Sequence, residues 1–312
     1  MHNNQAHNRL GTDARQTNAL AMQQNALNES MIIHRHACGE GGIFVNAYLI
    51  ETPNGVVAVD ATLSESESKA FRAEFEALRK PLLAVLITHP HPDHVAGITN
   101  LVAADTPQIV ATQAVSELMR ALEEPKRKQW GPVYGEEWVA RWTYPNTIVV
   151  QGERLSFDGV TYSVLDIGSG GDAEANAVWF IEAPVRTAFL GDLTFNGTHS
   201  YVADGHLLAW LANLSRLDRL CADMTWAFPG HGPVLAPGPL IAQQRDYLLT
   251  LAGHVKELAE GRPELTSAQK AELEKRMNAY LPNAGLGFLI AMNADPIARE
   301  LNGRLDRDLR AT

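Results

Sequence analysis

The sequence predicts an α/β chain, and three observations carry that prediction. The run Leu82, Leu83, Ala84, Val85, Leu86, Ile87 is short, aliphatic and free of Gly or Pro, as in a strand buried on both faces. Helical and strand patterns alternate around it. Ser64 with Glu67 forms a capping-box pair, and Phe71, Phe75 and Leu78 recur at helical spacing until Pro81. Beyond the buried run, Val95-Ala96-Gly97-Ile98 opens another helix, and Ile109 to Ala111 reads as the next parallel strand. Third, turn signals punctuate β-rich runs. Asn54-Gly55 joins Ile43–Glu51 to Val56–Ala61 as an antiparallel hairpin, and Gly152 and Asp158-Gly159 separate strands at Thr147–Val150, Arg154–Phe157 and Val160–Asp166.

Size and charge narrow the function. A chain of 312 residues with 46% hydrophobic content can bury a large core, and its net charge of −10 argues against binding a phosphate backbone. Lys126-Arg127-Lys128 is the one basic run and reads as a solvated helix end. No apolar run approaches a bilayer-spanning length, and the first residues lack the order of a signal peptide, so the expectation is a soluble, cytoplasmic protein. Cys38 and Cys221 have no partner at metal spacing and read as reduced thiols. Residues 1–30, rich in Asn, Gln and Ala, are expected to be a flexible or peripheral arm, with a short helix around Ala19 to Leu27 and with His2 and His7 as bland residues.

The buried strand run is followed at once by Thr88-His89-Pro90-His91-Pro92-Asp93-His94. In an extended turn His89 and His91 project to one side, while Asp93 and His94 diverge at the start of the next helix, so the four can serve two neighbouring cations. The two prolines stiffen the turn. Imidazole nitrogen with some carboxylate oxygen is the donor set of a catalytic zinc site, whereas a closed structural site leans on thiolates.

This H-x-H-x-D-H block resembles the signature of the metallo-β-lactamase-fold hydrolase superfamily. The resemblance implies a four-layer αβ/βα sandwich, two sheets face to face with helices outside, and a dinuclear site at one edge. It extends from about Ile43 to His231. Residues 31–238 would form that domain, and residues 239–312, read as helices at Leu240–Gly261, Ser267–Tyr280 and Leu286–Asn302, would pack on it as a C-terminal extension, with Ser267, Glu272 and Glu274 marking a capped surface helix. The second sheet is expected to begin with the strand at Thr147.

Further site residues follow from the resemblance, position by position. Asp60, ending its strand, is expected to hydrogen-bond the metal loop and hold it in place. Where the family has Gly-His-Ser/Thr, this chain has Gly168-Ser169-Gly170-Gly171-Asp172-Ala173-Glu174. Counting back from the strand at Ala177 puts Asp172 at the histidine's place, with Glu174 in reserve; the bland alternative is a loop residue. Gly191-Asp192, after the strand Thr187–Leu190, matches the bridging aspartate, and Pro229-Gly230-His231-Gly232 matches the last histidine. Asp204 suits a helix N-cap. His199, Tyr201 and His206 are candidates for contacting substrate or orienting ligands. Trp130, Tyr134, Trp138, Trp142 and Tyr144 read as core or helix-packing aromatics, with a substrate wall as the alternative.

The resulting expectation is a binuclear metal-dependent hydrolase in which His89, His91 and Asp172 hold one cation, Asp93, His94 and His231 the other, and Asp192 bridges. Asp93 and Asp192 would also move protons. The cofactors would be two divalent cations, zinc foremost, with iron or manganese as alternatives. Hydroxide formed at the metals would attack an ester, lactone, thioester or amide carbonyl of a small, neutral or apolar molecule. Nucleic acid and membrane are not expected as partners, and a homodimer is compatible with the sequence. Two rival readings are an iron-dependent oxygenase of the same fold and a metal-binding relative without turnover.

Overall fold

The computed structural model describes residues 31–103 and 105–310, with side chains to residue 302. The arm expected over residues 1–30, with its short helix, His2 and His7, lies outside the described residues. The chain forms two mixed sheets. The first has the order β1 (Ile32–Ala37), β2 (Asn46–Glu51), β3 (Val56–Val59), β4 (Leu82–Leu86), β5 (Gln108–Thr112), β6 (Thr147–Val149). The second, written from its other edge, runs β11 (Trp226–His231), β10 (Thr187–Phe195), β9 (Asn176–Ala183), β8 (Val160–Gly168), β7 (Arg154–Phe157).

The sheets face each other across aromatic and β-branched residues, among them Tyr48, Ile50, Val57, Leu86, Tyr162, Trp179, Phe189 and Phe228. On the outer face of the first sheet lie α1 (Glu65–Ala77), α2 (Pro92–Val95), α3 (Ile98–Val102) and α4 (Gln113–Tyr134). On that of the second lie α5 (Leu207–Leu220), α6 (Pro237–Ala259), α7 (Ser267–Tyr280) and α8 (Leu289–Arg310). The result is the αβ/βα sandwich, and the last three helices cover the second sheet through Leu240, Leu248, Leu273 and Ile290. Among the described residues, no helix is long and apolar enough to cross a membrane.

Several local readings need correction. β1 carries no strong alternation and was not expected; it pairs antiparallel with β2 from Ile32↔Glu51 to Ala37↔Asn46. The second sheet begins at β7, because β6 pairs parallel with β5 in the first sheet. β10 does not stop at Leu190 but continues through Gly191 and Asp192 to Phe195, with a break in register at Gly191, where φ is +50°. The N-cap of α7 is Thr266, in a capping box with Gln269, rather than Ser267. Asp204 does not cap α5: Gly205 and His206 both take positive φ, and the first N–H groups of the helix, from Leu207 and Leu208, donate to the Glu300 carboxylate of α8.

β4 explains why chemistry gathers at this end. It lies between β3 and β5, parallel to both, so its residues must be apolar on both faces and its polar residues collect beyond its carboxyl end. Two bonds tie that exit to the second sheet: Ala177 N–H donates to Thr88 O (2.7 Å), and Trp179 Nε1–H donates to Ile87 O (2.9 Å). β10 and β11, also parallel, bring Asp192 and His231 to the same edge.

Candidate metal centre

The seven residues singled out as ligands come together although they derive from five places in the chain. His89 and His91 lie in the turn after β4, Asp93 and His94 in α2, Asp172 in the β8–β9 loop, Asp192 in β10 and His231 at the end of β11. All are buried. They fall into two groups whose donor atoms lie within 4.8 Å of one another, His89, His91 and Asp172 in one and Asp93, His94, Asp192 and His231 in the other.

Each imidazole is anchored on one nitrogen and directed inward with the other. Asp60, at φ +57°, accepts from Thr88 N–H (2.7 Å) and the Thr88 hydroxyl (2.6 Å), and its Oδ2 lies 2.9 Å from His94 Nδ1. With the Thr88 proton committed to Asp60, His89 Nδ1–H is the donor to Thr88 Oγ1 (3.0 Å), and His89 Nε2 keeps its lone pair. His231 Nδ1–H donates to Ile43 O (3.0 Å), while its ring stacks on Phe195 at 4.8 Å. His91 is anchored through Nε2 by Asp204 (3.1 Å), and Asp204 also accepts from the Tyr201 hydroxyl (2.7 Å). This arrangement sets tautomer and ring orientation for metal-binding histidines.

The inward atoms face one another. In the first group, His91 Nδ1 lies 2.6 Å and His89 Nε2 3.5 Å from Asp172 Oδ2. In the second, His94 Nε2 and His231 Nε2 each lie 3.2 Å from an Asp192 oxygen, Oδ1 and Oδ2 respectively, and Asp93 Oδ2 is 3.3 Å from His231 Nε2. Asp192 Oδ2 is also 4.0 Å from His89 Nε2, so that one carboxylate touches both groups. His89 Nε2, His94 Nε2, Asp172 Oδ1 and Asp192 Oδ1 are buried with no hydrogen-bond partner among the described residues. Orphaned buried donors and acceptors are costly, and here they converge on one place, so nitrogen and carboxylate oxygen together fit divalent cations.

Close packing leaves no room for a different backbone. A Cβ at Gly230 would overlap Asp192 Oδ1, and one at Gly191 would press on Thr88. The Gly-rich loop that carries Asp172 is clamped from both sides: Asn176 Nδ2 donates to Gly168 O and Ala173 O, and Asn213 Nδ2 from α5 donates to Ser169 O and Gly170 O. Glu174, the reserve ligand, is exposed and belongs to neither group.

Of the three residues expected to contact substrate or steady ligands, only Tyr201 lines the cavity over the cluster. His199 is buried instead beside Tyr247, its Nδ1 3.1 Å from the hydroxyl, and His206 is half-buried in the left-handed residue before α5. The cavity, about 80 Å³, has His91, Asp93, Asp172, Asp192 and His231 at its base. Its walls are Trp130, Tyr134, Leu286 and Phe288, with Lys126 among them. The aromatic segment is thus divided: Trp130 and Tyr134 face the cavity, and Trp138 and Trp142 belong to the core. Lys126 is buried within α4 rather than a solvated helix end.

Electrostatics follow from this crowding. Burial disfavours charge on His91 and His231, but Asp172 beside the first and Asp192 beside the second outweigh it, and both imidazoles rise to about 9. Asp93 and Asp192 are pushed up by burial yet held well below the usual carboxylate range by His94 and His231.

The profile of the metallo-beta-lactamase superfamily matches residues 41–231. The chain belongs to that superfamily. Among curated proteins it is 27% identical to the beta-lactamase-like protein 2 homolog of Caenorhabditis elegans over 61% of this chain and 56% of that one. It is 38% identical to a linear primary-alkylsulfatase of Pseudomonas over 18% of this chain and 11% of the relative. The chain therefore spans from about a tenth to about half the length of these relatives. Its fold is shared with solved metallo-beta-lactamases from Pontibacter korlensis (TM-score 0.55, 18% identity, 71% of this chain and 96% of that one) and Hirschia baltica (0.52, 18%, 70% and 92%).

The raised imidazoles give a pH signature in the absence of metal. A group whose folded pKa is raised from 6.5 to about 9 contributes stability that is complete below about 6.5 and lost as pH climbs through about 9. Chelator-treated protein should therefore show a falling denaturation midpoint between pH 6.5 and 9. A flat or rising midpoint over that window would contradict the ion-paired description of His91 and His231.

Proposed function

We propose that this chain is a binuclear metal-dependent hydrolase acting on an ester, lactone, thioester or amide. The observation that carries the reading is Asp192: one buried carboxylate lies between two groups of inward-facing donors. His89, His91 and Asp172 would hold one cation, Asp93, His94 and His231 the other, and Asp192 would bridge. Two divalent cations, zinc by the donor set, would supply Lewis acidity and lower the pKa of bound water from 15.7 toward about 7.

The protein's own groups do the rest. Asp93 and Asp192 both line the cavity and are the carboxylates placed to take a proton from attacking water and return it to the leaving group. Asp204 keeps His91 turned so that Nδ1 faces Asp172. The Trp130, Tyr134, Leu286 and Phe288 walls suit an apolar acyl or alkyl body. Lys126 adds a specificity the overall acidic charge conceals. Its ammonium, 5.3 Å over the Tyr201 ring, forms no salt bridge among the described residues, although it is near enough to Asp204 to help hold that carboxyl down. That supports a substrate pairing an apolar body with an anionic group, and the alkylsulfatase relative adds alkyl sulfates to the candidates.

Asp172 tests the ligand set. A carboxylate donor at that place should make Asp172→Ala lose metal from the first position and lower turnover at least tenfold on a panel of esters, lactones, thioesters and alkyl sulfates, whereas Asp172→His should retain zinc. Unchanged metal content and rates in Asp172→Ala would remove Asp172 from the site. Metal analysis of protein purified without added metal should find zinc; redox-active iron with oxygen consumption would favour the oxygenase reading, to which the added carboxylate oxygen also lends itself.

Lys126→Met, which keeps the stem and removes the charge, should raise KM about tenfold for substrates with a carboxylate or sulfate while leaving neutral esters within about twofold, as expected for loss of roughly 1.4 kcal/mol of charge-assisted binding. Equal effects on charged and neutral substrates would assign Lys126 to packing alone.

A further inference from the structure

Outside the binuclear cluster another set of metal-binding side chains converges. β1 delivers His36 and, just past its end, Cys38; the first turn of α1 delivers Glu67. The nitrogen, sulfur and oxygen atoms lie within 4.8 Å of one another. Sequence spacing could not reveal this, because Glu67 arrives from a helix two strands further along the chain.

The imidazole is prepared as the ligands of the main cluster are. His36 is only 6% exposed and packs against the Phe71 ring at 5.2 Å. Its Nδ1 lies 3.0 Å from Glu74 Oε1, so that carboxylate holds the Nδ1 proton and turns Nε2 toward Cys38 and Glu67. Nε2 is buried, 3.5 Å from Glu67 Oε2, and has no hydrogen-bond partner among the described residues. Glu67 is steadied on its other oxygen, where Oε1 accepts from Gly39 N–H (3.2 Å). Gly42 closes the loop so tightly that a Cβ there would meet Cys38 Cβ, and this keeps the thiol against Glu67.

We infer that His36 Nε2, Cys38 Sγ and the Glu67 carboxylate form a third cation site, separate from the binuclear cluster, for a zinc-like divalent ion. Imidazole, thiolate and carboxylate together select a borderline cation over magnesium or calcium, and three protein donors leave one tetrahedral position for water. A cation there satisfies the one polar atom of the trio that protein contacts leave unpaired.

Its place suggests its work. Cys38 N–H donates to Val45 O (3.0 Å), closing a loop that carries Ile43, and the Ile43 carbonyl is the acceptor that orients His231. The site thus clasps β1, α1 and this loop to one another, and a cation in it braces the anchor of one main-cluster histidine from behind.

Cobalt distinguishes this site from the main one by its sulfur. The binuclear cluster contains no cysteine, and Cys221, the other thiol, is buried at the end of α5. Titrating metal-free full-length protein with Co²⁺ should produce a near-ultraviolet thiolate-to-cobalt charge-transfer band. The band should be lost in Cys38→Ala, weakened in His36→Gln and retained in Cys221→Ala, and Cys38→Ala should bind one cobalt per chain fewer than wild type. Absence of the band in folded wild-type protein at saturating cobalt would overturn the proposal, as would a band that survives Cys38→Ala. The wild-type and Cys221→Ala spectra decide the matter even if Cys38→Ala fails to fold. They read this site whether or not the binuclear cluster loads.

Discussion

The carboxylate of Asp60 is the contact on which the centre depends. It sits at the end of β3 in a left-handed backbone conformation and, through three hydrogen bonds, fixes the Thr88 backbone, the Thr88 hydroxyl and the His94 ring. The Thr88 hydroxyl, committed to Asp60, in turn fixes His89. One buried acid thus sets two of the four imidazoles, in a turn already stiffened by Pro90 and Pro92. Asparagine would be a poor substitute, since it offers one acceptor oxygen where three donors point.

The same logic extends across the sandwich. Seven ionisable side chains are brought out of water at one sheet edge, an arrangement that costs several kcal/mol per unpaired charge. Pairing three aspartates with four histidines offsets this, and residues outside the cluster, Asp204 and the Ile43 carbonyl among them, aim the rings that do not reach Asp60 or Thr88. Parallel β4 and the parallel pair of β10 and β11 bring their carboxyl ends to the same edge, so a single architectural choice serves both halves of the site. Lys126, Trp130 and Tyr134 above it come from α4, in the same first half of the chain as the His turn, and Leu286 and Phe288 close the wall from the segment before α8.

Much of this was legible in the sequence because the candidate ligands are local to strand ends. His89, His91, Asp93 and His94 fall in six residues after an unmistakable buried run, and Asp192 and His231 each follow a short apolar strand. Asp172 could be placed by counting from β9, although its neighbour Glu174 could be set aside only when burial was known. What stayed hidden depends on contacts between distant segments. Nothing in the run Lys126-Arg127-Lys128 tells which face of α4 turns inward. Asp204 looks like a helix cap until Glu300, from the last helix, is seen to take that role. β6 carries the same short apolar signal as its successors and joins the other sheet, because pairing partners, unlike strand propensity, are not written locally. Cys38 appeared isolated for the same reason.

The most direct measurement is anomalous diffraction at the metal edges from metal-replete crystals. Two peaks about 3.5–4 Å apart, with the Asp192 carboxylate between them and Asp172 on the side of His89 and His91, are the expected result. A single peak, or two ions outside the space enclosed by these seven side chains, would contradict the binuclear reading at its root.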